Sequence, residues 1–585
     1  MTRAHGSLRG LRWVDRSRLT EGRFGRMFRW LPGETYKDED LSSLASQMIQ
    51  LESADLRDQT NPETPHVPKG ELFKDGPDII LKSVEPPKRL DTAFGEPEAG
   101  DENPTIPAGY TYFGQYIDHD LTFDPNSSLQ KLNDPDALVD FRTPRLDLDS
   151  LYGRGPDDQP YLYDDRDGIH FALGRHTDDP KRVRLGELQR NADGRALIGD
   201  PRNDENSIIC QLQAVFLNFH NKVIDELQAK RKSLKPHEIF LEAQRIVRWH
   251  YQYIVLNDYL PRIVGDCTWK HVYLGGENEA RAPRPHLEFY KPKSGEAYMP
   301  VEFSVAAFRF GHSMVRPSYA LRRDDANVGG ASEGGFAGDR RFNRIPIFSD
   351  LRDPERTANL SGFGRLPPDW EIDWQLFFSA GPLPTEIATD GEDPGALQVK
   401  PGTITQPGYR IDTKLVDPLA MLPPTVAKSG NMPDGVPVLA YRNLIRGSTF
   451  ELPSGQNVAR ALGVKPLSEQ DLWDDSPNAR FRDPESNPFA FRAPLWFYIL
   501  KEAEQVRQHG LNDTKGGHHL GDVGGRIVAE VLVGIALSDH TSYLYQDAGW
   551  KPELEKYKSG FDAGRPLKTM FQLIAWTTND SMTFR

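Results

Sequence analysis

Apolar side chains recur at the spacing of an amphipathic helix in four long segments of the chain. The clearest is 207–228 (SIICQLQAVFLNFHNKVIDELQ), where apolar positions three and four residues apart share one helix face. These positions are Ile209, Leu212, Val215, Phe216, Phe219 and Val223. Residues 236–260 repeat the pattern and begin with Pro236, a residue favoured in the first turn of a helix. Residues 301–315 and 493–506 also predict buried helices.

Strand signals are short and few, and the helical segments are separated by stretches rich in glycine, proline and aspartate, such as 324–338 and 390–435. The pattern therefore predicts a mainly α fold, a large helical domain with long loops and little β-structure. Residues 1–67 are polar and interrupted by proline and glycine, with one short helix-like patch, LSSLASQMIQL. We interpret 1–67 as an N-terminal extension or arm and 68–585 as the catalytic domain.

Composition narrows the possible partners. The 585 residues include 71 basic and 85 acidic ones, a net charge of −14, which argues against nucleic-acid binding through bulk charge. No apolar run approaches the ~20 residues that a membrane helix needs. The N-terminus lacks the apolar core of a secretory signal, so the default expectation is a cytoplasmic protein or leaderless export. Cys210 and Cys267 form neither a metal-type pair nor a disulfide framework.

Two acids flank a histidine in the apolar and aromatic segment 113–123 (FGQYIDHDLTF). If this segment is helical, Gln115, Asp118 and His119 share one face, because they are spaced i, i+3 and i+4. Asp120 is then turned by about 100° from His119 and points elsewhere. The sequence predicts a cavity lined by an amide, a carboxylate and an imidazole, with a second carboxylate beside it.

The segment 142–153 (RTPRLDLDSLYG) has oxygen donors at alternate positions. They are the Thr143 hydroxyl, the Arg145 carbonyl, Asp147 and Asp149. Alternate residues of an extended chain face the same way, and hard oxygen ligands suit Ca²⁺. Asp120 would complete such a site, whereas the alternation alone also fits a solvated acidic turn.

Two further segments carry candidate chemistry. Residues 199–206 (GDPRNDEN) are typical of a helix start with Asn203 or Asp204 as the cap, and they place Arg202 and Glu205 three residues apart. An ordinary charged helix start would have the same pattern. His312 follows Gly311 in FRFGHSMVRP, where glycine permits close approach of a flat group. A histidine that is hydrogen-bonded within the core is the alternative.

Together with YRNLIRG (441–447), these segments resemble the animal-type haem peroxidases of the peroxidase–cyclooxygenase superfamily, and among them bacterial members similar to lactoperoxidase and myeloperoxidase. The order along the chain agrees, and the resemblance covers roughly residues 24–576. It implies that His119 is the distal acid–base group, that Arg202 and Gln115 lie beside it, and that His312 binds the haem iron. Asn443 would accept the N–H of His312.

The resemblance implies further roles at the haem edge. Arg309 and Arg446 match arginines that hold the haem propionates, and Asp118 and Glu205 match carboxylates that form ester bonds to a haem b. The calcium ligands would be Asp120, Thr143, Arg145, Asp147 and Asp149. Asn206 stands where myeloperoxidase has the methionine of its sulfonium link.

The resemblance implies a haem peroxidase that reduces hydrogen peroxide and oxidises halides, pseudohalides or small phenolic donors through a high-valent iron-oxo intermediate. One alternative is an oxygenase similar to the fatty-acid dioxygenases. Such enzymes need a tyrosine three residues before the proximal histidine, where this chain has Arg309. The other alternative is a non-enzymatic haem or adhesion protein on the same scaffold. The sequence leaves the physiological donor and the oligomeric state open.

Overall fold

Helices build most of the core, and the β-structure consists of short strands between them. The structure is a computed structural model. It describes residues 22–50, 101–122, 139–140, 144–175, 183–276, 282–322, 344–348, 359–367, 370–389, 395–400, 403–420, 422, 438–507, 511–552 and 566–578. The expectation of a mainly α fold is confirmed. No helix in these ranges is both long enough and apolar enough to span a bilayer.

The α-helices within the described ranges are α1 Asp38–Gln47, α2 Gly109–Leu121, α3 Asp149–Tyr152, α4 Ser207–Lys230, α5 Pro236–Ile254, α6 Leu260–Val272, α7 Leu439–Thr449, α8 Gly455–Ala461, α9 Glu469–Trp473, α10 Ala479–Arg482, α11 Leu495–Ala503, α12 Asp522–Ser538, α13 Tyr543–Gln546 and α14 Met570–Thr578. Single π-helical turns occur at Val255–Tyr259 and Glu302–Ala306, and 3₁₀ segments at Pro160–Leu162, Pro201–Asp204, Ala307–His312, Trp374–Leu376 and Asp417–Ala420.

The strands are β1 Gly22–Gly25, β2 Ile49–Gln50, β3 Glu102–Pro107, β4 Val139–Asp140, β5 Leu173–Arg175, β6 Val183–Leu188, β7 Met299–Pro300, β8 Ser318–Ala320, β9 Arg344–Pro346, β10 Thr385–Ile387, β11 Leu397–Val399, β12 Pro407–Tyr409 and β13 Leu415–Val416. β1 pairs with β4 antiparallel and with β7 parallel, and the other strands form pairs. These short ladders join distant parts of the chain at the edge of the helical core.

The helix α4 has the predicted apolar stripe but begins differently from the prediction. Its stripe residues, such as Leu212 and Phe216, are buried. The cap is Asn206, whose side-chain oxygen accepts hydrogen bonds from the backbone N–H groups of the two residues after Ser207. The expectation that Asn203 or Asp204 is the cap was therefore wrong. Both residues belong to the preceding 3₁₀ turn, which directs their side chains into the core instead.

The segment 301–315 was expected to be one regular buried helix, and it is irregular instead. A π-helical turn over Glu302–Ala306 passes into the 3₁₀ segment Ala307–His312. His312 ends that segment, and π turns of this kind are frequent at functional sites. The burial was predicted correctly, but the helix type follows from the packing around it.

The described part of the predicted N-terminal arm lies within the domain core. Phe24, Met27 and Phe28 are buried, as is the inner face of α1. The Glu302 carboxylate, itself fully buried, accepts hydrogen bonds of 3.0 Å from the backbone N–H groups of Met27 and Phe28. Residues 22–50 are thus integrated with the turn that leads to His312, because a few well-spaced apolar residues anchor an otherwise polar segment.

We expect Glu302→Ala to destabilise the protein by about 2–4 kcal/mol, because two buried N–H groups lose their acceptor. The midpoint of urea unfolding, monitored by circular dichroism, would measure this loss. Glu296→Ala is the matched control, since Glu296 is exposed and pairs with Lys293 only at 4.0 Å. Equal midpoints for the two variants would contradict the anchoring role of Glu302.

Candidate active site

One face of α2 is open while the rest of that helix is buried. Only Gln115 and Asp118 of its thirteen residues are partly exposed. The aromatic and apolar residues of α2 favour its complete burial, so the two partly exposed polar residues mark an open polar edge of the helix. The prediction that Gln115 and Asp118 share a face with His119 is confirmed by this pattern of exposure and by the contacts of His119 described next.

His119 is held by an amide. Its Nδ1 lies 2.7 Å from Oδ1 of Asn203, and the Nδ2 of Asn203 donates in turn to Oε1 of Gln213 at 2.9 Å. The amide that gives its N–H to Gln213 must present its oxygen to the imidazole, so Nδ1 of His119 carries the proton and Nε2 carries the lone pair. Burial, followed by the charge of Arg202, lowers the pKa of His119 from 6.5 to about 4. His119 is therefore a neutral imidazole at neutral pH, with the lone pair on Nε2.

Glu205 faces the basic nitrogen of His119. Its Oε1 lies 3.8 Å from Nε2 of His119 and accepts a hydrogen bond from Nε2 of Gln115. Burial raises the pKa of Glu205 from 4.5 to about 7, and the charge of Arg202 offsets only part of that effect. Gln115, His119 and Glu205 therefore meet at one point, although they come from two distant segments of the chain.

Asp118 joins α2 to the segment that carries His312. Its Oδ2 lies 3.6 Å from Nη1 of Arg309, and its Oδ1 accepts a hydrogen bond of 3.3 Å from the hydroxyl of Thr122. Burial would raise the pKa of Asp118, but the charges of Arg309 and then of its other cationic neighbours hold it below its usual value. The surroundings therefore lower the pKa of Asp118 and raise that of Glu205.

Arg202 binds the end of α2. Its Nη2 donates to the backbone carbonyls of His119 at 2.9 Å and Thr122 at 2.6 Å. The buried carboxylate of Asp200 accepts from Nε at 3.2 Å and from Nη2 at 2.9 Å. The guanidinium therefore caps the carbonyl end of the helix that carries His119, and Asp200 fixes its orientation.

His312 is held by a second amide. Its Nδ1 lies 2.7 Å from Nδ2 of Asn443 on α7. Burial, then the charge of Arg309 and, more weakly, that of Arg442, lower the pKa of His312 from 6.5 to about 3. A half-turn of the Asn443 amide would bring its oxygen to Nδ1 and leave the lone pair on Nε2. The pairing of His312 with Asn443 agrees with the prediction, while the amide nitrogen faces the ring here.

The surroundings of His312 fit a flat prosthetic group. A Cβ built on Gly311 would meet no atom within 4 Å, and Arg309, Gly311 and His312 are all partly exposed. Arg446 lies one helical turn after Asn443 on α7, with its guanidinium 5.4 Å from the ring of Phe450. Open space beside a neutral imidazole, with Arg309 and Arg442 as charged neighbours, suits haem with its two carboxylate tails.

Three of the predicted calcium ligands are buried carboxylates that belong to neighbouring segments. Asp120, Asp147 and Asp149 are 0%, 4% and 9% exposed. The Oδ2 of Asp120 accepts from the backbone N–H of Leu148 at 3.1 Å, so α2 contacts the turn that holds the other two acids. Burial first, and then the charges of Asp120 and Asp147, raise the pKa of Tyr251 well above its ordinary value. This concentration of negative charge and hard oxygens fits a divalent cation such as Ca²⁺.

The other two predicted calcium ligands are less informative. Thr143 lies outside the described residues. The guanidinium of Arg145 donates to Oδ1 of Asp539 at 3.0 Å, so only its backbone carbonyl could serve as a ligand. Four of the five predicted residues are therefore described, and three of them bring carboxylates to one region.

Sequence reasoning missed three residues of the site. Asn203 was considered only as a helix cap, Asp200 had no role, and Arg442 was passed over beside Asn443. Asn203 sets the tautomer of His119, Asp200 orients Arg202, and Arg442 adds positive charge near His312. The only signal was their position within the motifs, because their partners are far away in sequence.

A cavity of about 240 Å³ opens beside the segment that precedes α4. Its lining includes Asp204, Ser207, Cys210, Ser361 and Trp370, but none of the predicted catalytic, haem-binding or calcium-binding residues. The candidate site is therefore defined by converging polar groups and not by this cavity.

Part of the chain is similar to known proteins. Residues 127–359 match the family model described as animal haem peroxidase, a range that includes Arg202 and His312 but neither His119 nor Asn443. The human protein named probable oxidoreductase PXDNL is 28% identical over 166 residues, which is 28% of this chain and 10% of that protein. Human thyroid peroxidase is 33% identical over 131 residues, which is 22% of this chain and 12% of that protein. The matched stretches thus span about a tenth of these relatives.

A solved structure extends the comparison to most of the fold. Peroxidase A from Dictyostelium discoideum superimposes with a TM-score of 0.51 at 15% sequence identity, covering 77% of this chain and 81% of that one. The chain therefore has the helical fold found in that peroxidase.

We expect Asn203→Ala to cost about 1–3 kcal/mol of stability, because Nδ1 of His119 and Oε1 of Gln213 both lose a buried partner. Chemical denaturation followed by tryptophan fluorescence would measure the change. Asn457→Ala is the matched control, since Asn457 accepts from the exposed Arg460 at 3.0 Å. A stability loss at Asn203 no larger than at Asn457 would show that the amide is not needed to hold the imidazole.

Proposed function

We propose that this chain, of which residues 127–359 match the animal haem peroxidase model, is a haem-dependent peroxidase that uses hydrogen peroxide to oxidise small donors. One observation carries the proposal. The side chains of His119 and His312 are neutral, and an asparagine amide holds each of them. The ion pair of Asp118 with Arg309 joins the two segments that carry these histidines. His312 could bind the iron, while His119 could accept and donate the protons of the peroxide.

Haem would supply the iron that takes two oxidising equivalents from the peroxide, and the protein would supply its ligand and its proton traffic. Nε2 of His312 would bind the iron. With the Asn443 oxygen turned to Nδ1, the imidazole N–H has an acceptor, and the resulting basicity strengthens the bond from Nε2. The guanidinium of Arg309 would exchange Asp118 for a propionate, and Arg446 would hold the second one.

His119 would move the proton of the bound peroxide. Its Nε2 lone pair can accept the proton from one peroxide oxygen and return it to the other, which leaves as water. Asn203 keeps the tautomer that this requires. Arg202 would contribute a fixed positive charge near the separating oxygens, and its hydrogen bond to the His119 carbonyl holds the base in place.

The two carboxylates at the open edge would form ester bonds to haem methyl groups. Each ester is a two-electron oxidation of a methyl group, in which one hydrogen peroxide would be the oxidant and would be reduced to two waters. Asp118 and Glu205 belong to separate segments, and their pKa values are shifted in opposite directions by their surroundings. Release of Asp118 from Arg309 by a propionate would make its oxygen available to the haem edge. Both links would fix the haem with respect to His119.

Calcium would stabilise the helix that carries His119. Asp120, Asp147 and Asp149 would bind it together with Thr143 and the Arg145 carbonyl. Because Asp120 directly follows His119, the ion would fix the position of the base as well as neutralise buried charge.

The donor would be a small anion or a phenol. Gln115 lies beside Glu205, and its Oε1 accepts a weak hydrogen bond of 3.4 Å from Nδ2 of Asn206. Asn206 has no sulfur with which to form a sulfonium link to haem, so we favour iodide and thiocyanate over chloride. Arg309 occupies the position at which a fatty-acid oxygenase has its tyrosine. Arg309 contacts Asp118 and would bind a haem propionate, so we do not favour an oxygenase.

We expect His312→Ala to abolish the absorption spectrum of five- or six-coordinate ferric haem, because the iron loses its protein ligand. Adding imidazole should restore the spectrum in part by filling the space that the side chain left. The matched control is His237→Ala at an exposed position of α5. An unchanged spectrum in the His312 variant before imidazole is added would overturn the assignment of the ligand.

We expect His119→Gln to retain haem but to react with peroxide about 10²–10⁴-fold more slowly, the range for loss of a general acid–base group. Stopped-flow absorption after mixing with peroxide would give the rate. Retention of the haem spectrum separates a chemical defect from a folding defect. A rate within a factor of three of the unmodified protein would exclude His119 as the proton carrier.

A further inference from the structure

Two histidines and a glutamate meet on the surface, away from the residues discussed above. His271 lies in the last turn of α6, whereas His286 and Glu288 lie on the extended segment 282–290. One ligand atom from each of the three side chains lies within 4.8 Å of the others. All three residues are exposed, so a cation could reach them from solvent.

The spacing of the donor atoms suits a tetrahedral metal ion. Oε1 of Glu288 lies 3.0 Å from Nε2 of His286 and 3.6 Å from Nε2 of His271. Ligands at the usual Zn–N and Zn–O distances of about 2.0–2.1 Å are separated by about 3.3 Å in a tetrahedron, which lies between the two observed values. Those two distances need shifts of only a few tenths of an ångström, and the two imidazole nitrogens lie within 4.8 Å of each other.

A second layer of contacts holds these donors. Arg526 donates to Oε2 of Glu288 at 2.9 Å, which leaves Oε1 for a metal, and Arg526 is held in turn by Oε1 of Glu530 at 2.7 Å. The fully buried Glu530 also accepts hydrogen bonds from three backbone N–H groups of residues 288–290 through Oε2. The backbone N–H of His286 donates to the Val272 carbonyl at 2.8 Å. Outer contacts of this kind orient the ligands of metal sites.

Local charge favours a cation. The carboxylates of Glu288 and Glu530 both contact the one guanidinium of Arg526, so acidic groups outnumber basic ones in this set of contacts. Two nitrogen ligands with one carboxylate exclude Ca²⁺ and Mg²⁺, which prefer oxygen ligands, and suit first-row transition ions.

We propose that His271, His286 and Glu288 form a binding site for Zn²⁺ or a similar divalent transition ion, with solvent at the fourth position. The ion would join the end of α6 to residues 286–288 and so close the connection between them. Because the ion binds the folded chain and not the unfolded chain, the free energy of unfolding should rise with the logarithm of the zinc concentration above the Kd.

The test uses the full-length chain loaded with haem, with any affinity tag removed and calcium present throughout. Equilibrium dialysis against Zn²⁺, followed by elemental analysis, gives the stoichiometry and affinity. The variants are His271→Ala and His286→Ala, and the control is His540→Ala, an exposed histidine whose Nε2 lies 2.7 Å from the Ser294 hydroxyl. X-ray absorption at the zinc edge reports the ligands directly.

We expect about one tightly bound Zn²⁺ in the unmodified chain and in the His540 variant, and an affinity at least about 10-fold lower in the other two. Zinc should also raise the Tm of the unmodified chain but not of the His271 or His286 variant. The X-ray absorption spectrum at the zinc edge should fit two imidazole nitrogens and one or two oxygens as ligands. Equal zinc binding in all four proteins, or none in the unmodified chain, would overturn the proposal and leave the cluster as a surface ion pair.

Discussion

The geometry of the site depends on the contact between Asp118 and Arg309. The two residues are 191 positions apart in the chain, and their 3.6 Å separation ties the open face of α2 to the 3₁₀ segment that ends at His312. The hydroxyl of Thr111, which donates to the Met314 carbonyl at 3.5 Å, joins the same two segments, so the two imidazoles come from segments that contact each other directly. The pair also keeps Asp118 ionised against the effect of burial, so a charged group remains at the edge where a cofactor would enter.

Both histidines are paired with amides, and this choice determines their charge. A carboxylate at the position of Asn203 would stabilise the imidazolium and raise the pKa of His119, whereas an amide orients the ring without adding charge. Burial and Arg202 then keep His119 neutral. Arg202 can exert its charge there because Asp200 holds the guanidinium against the end of α2. The neutral imidazole of His119 and the charged pair of Arg202 with Asp200 therefore lie close together.

Two buried carboxylates, Glu302 and Glu530, hold segments at the periphery of the helical core. The buried carboxylate of Glu302 binds the backbone near Met27 and stabilises the turn before His312, and that of Glu530 binds the backbone near Glu288. In each case a buried acid is satisfied by backbone N–H groups from a segment distant in sequence. Such contacts link peripheral segments to the helical core more specifically than apolar packing does, because each N–H needs an acceptor in one place.

The sequence by itself determined the mainly α class, the buried stripe of α4, and the positions of His119, Arg202, Glu205, His312 and Asn443 within recognisable motifs. These features are local: helical periodicity and motif spacing depend on neighbouring residues only. Only the tertiary structure decided that Asn203 holds His119, that Arg202 lies against backbone carbonyls, that the segment before His312 is a π turn followed by a 3₁₀ turn, and that residues 22–50 belong to the core. Each of these depends on a partner about 80 or more residues away in the chain, and no periodicity in the sequence encodes which buried polar group will find which acceptor.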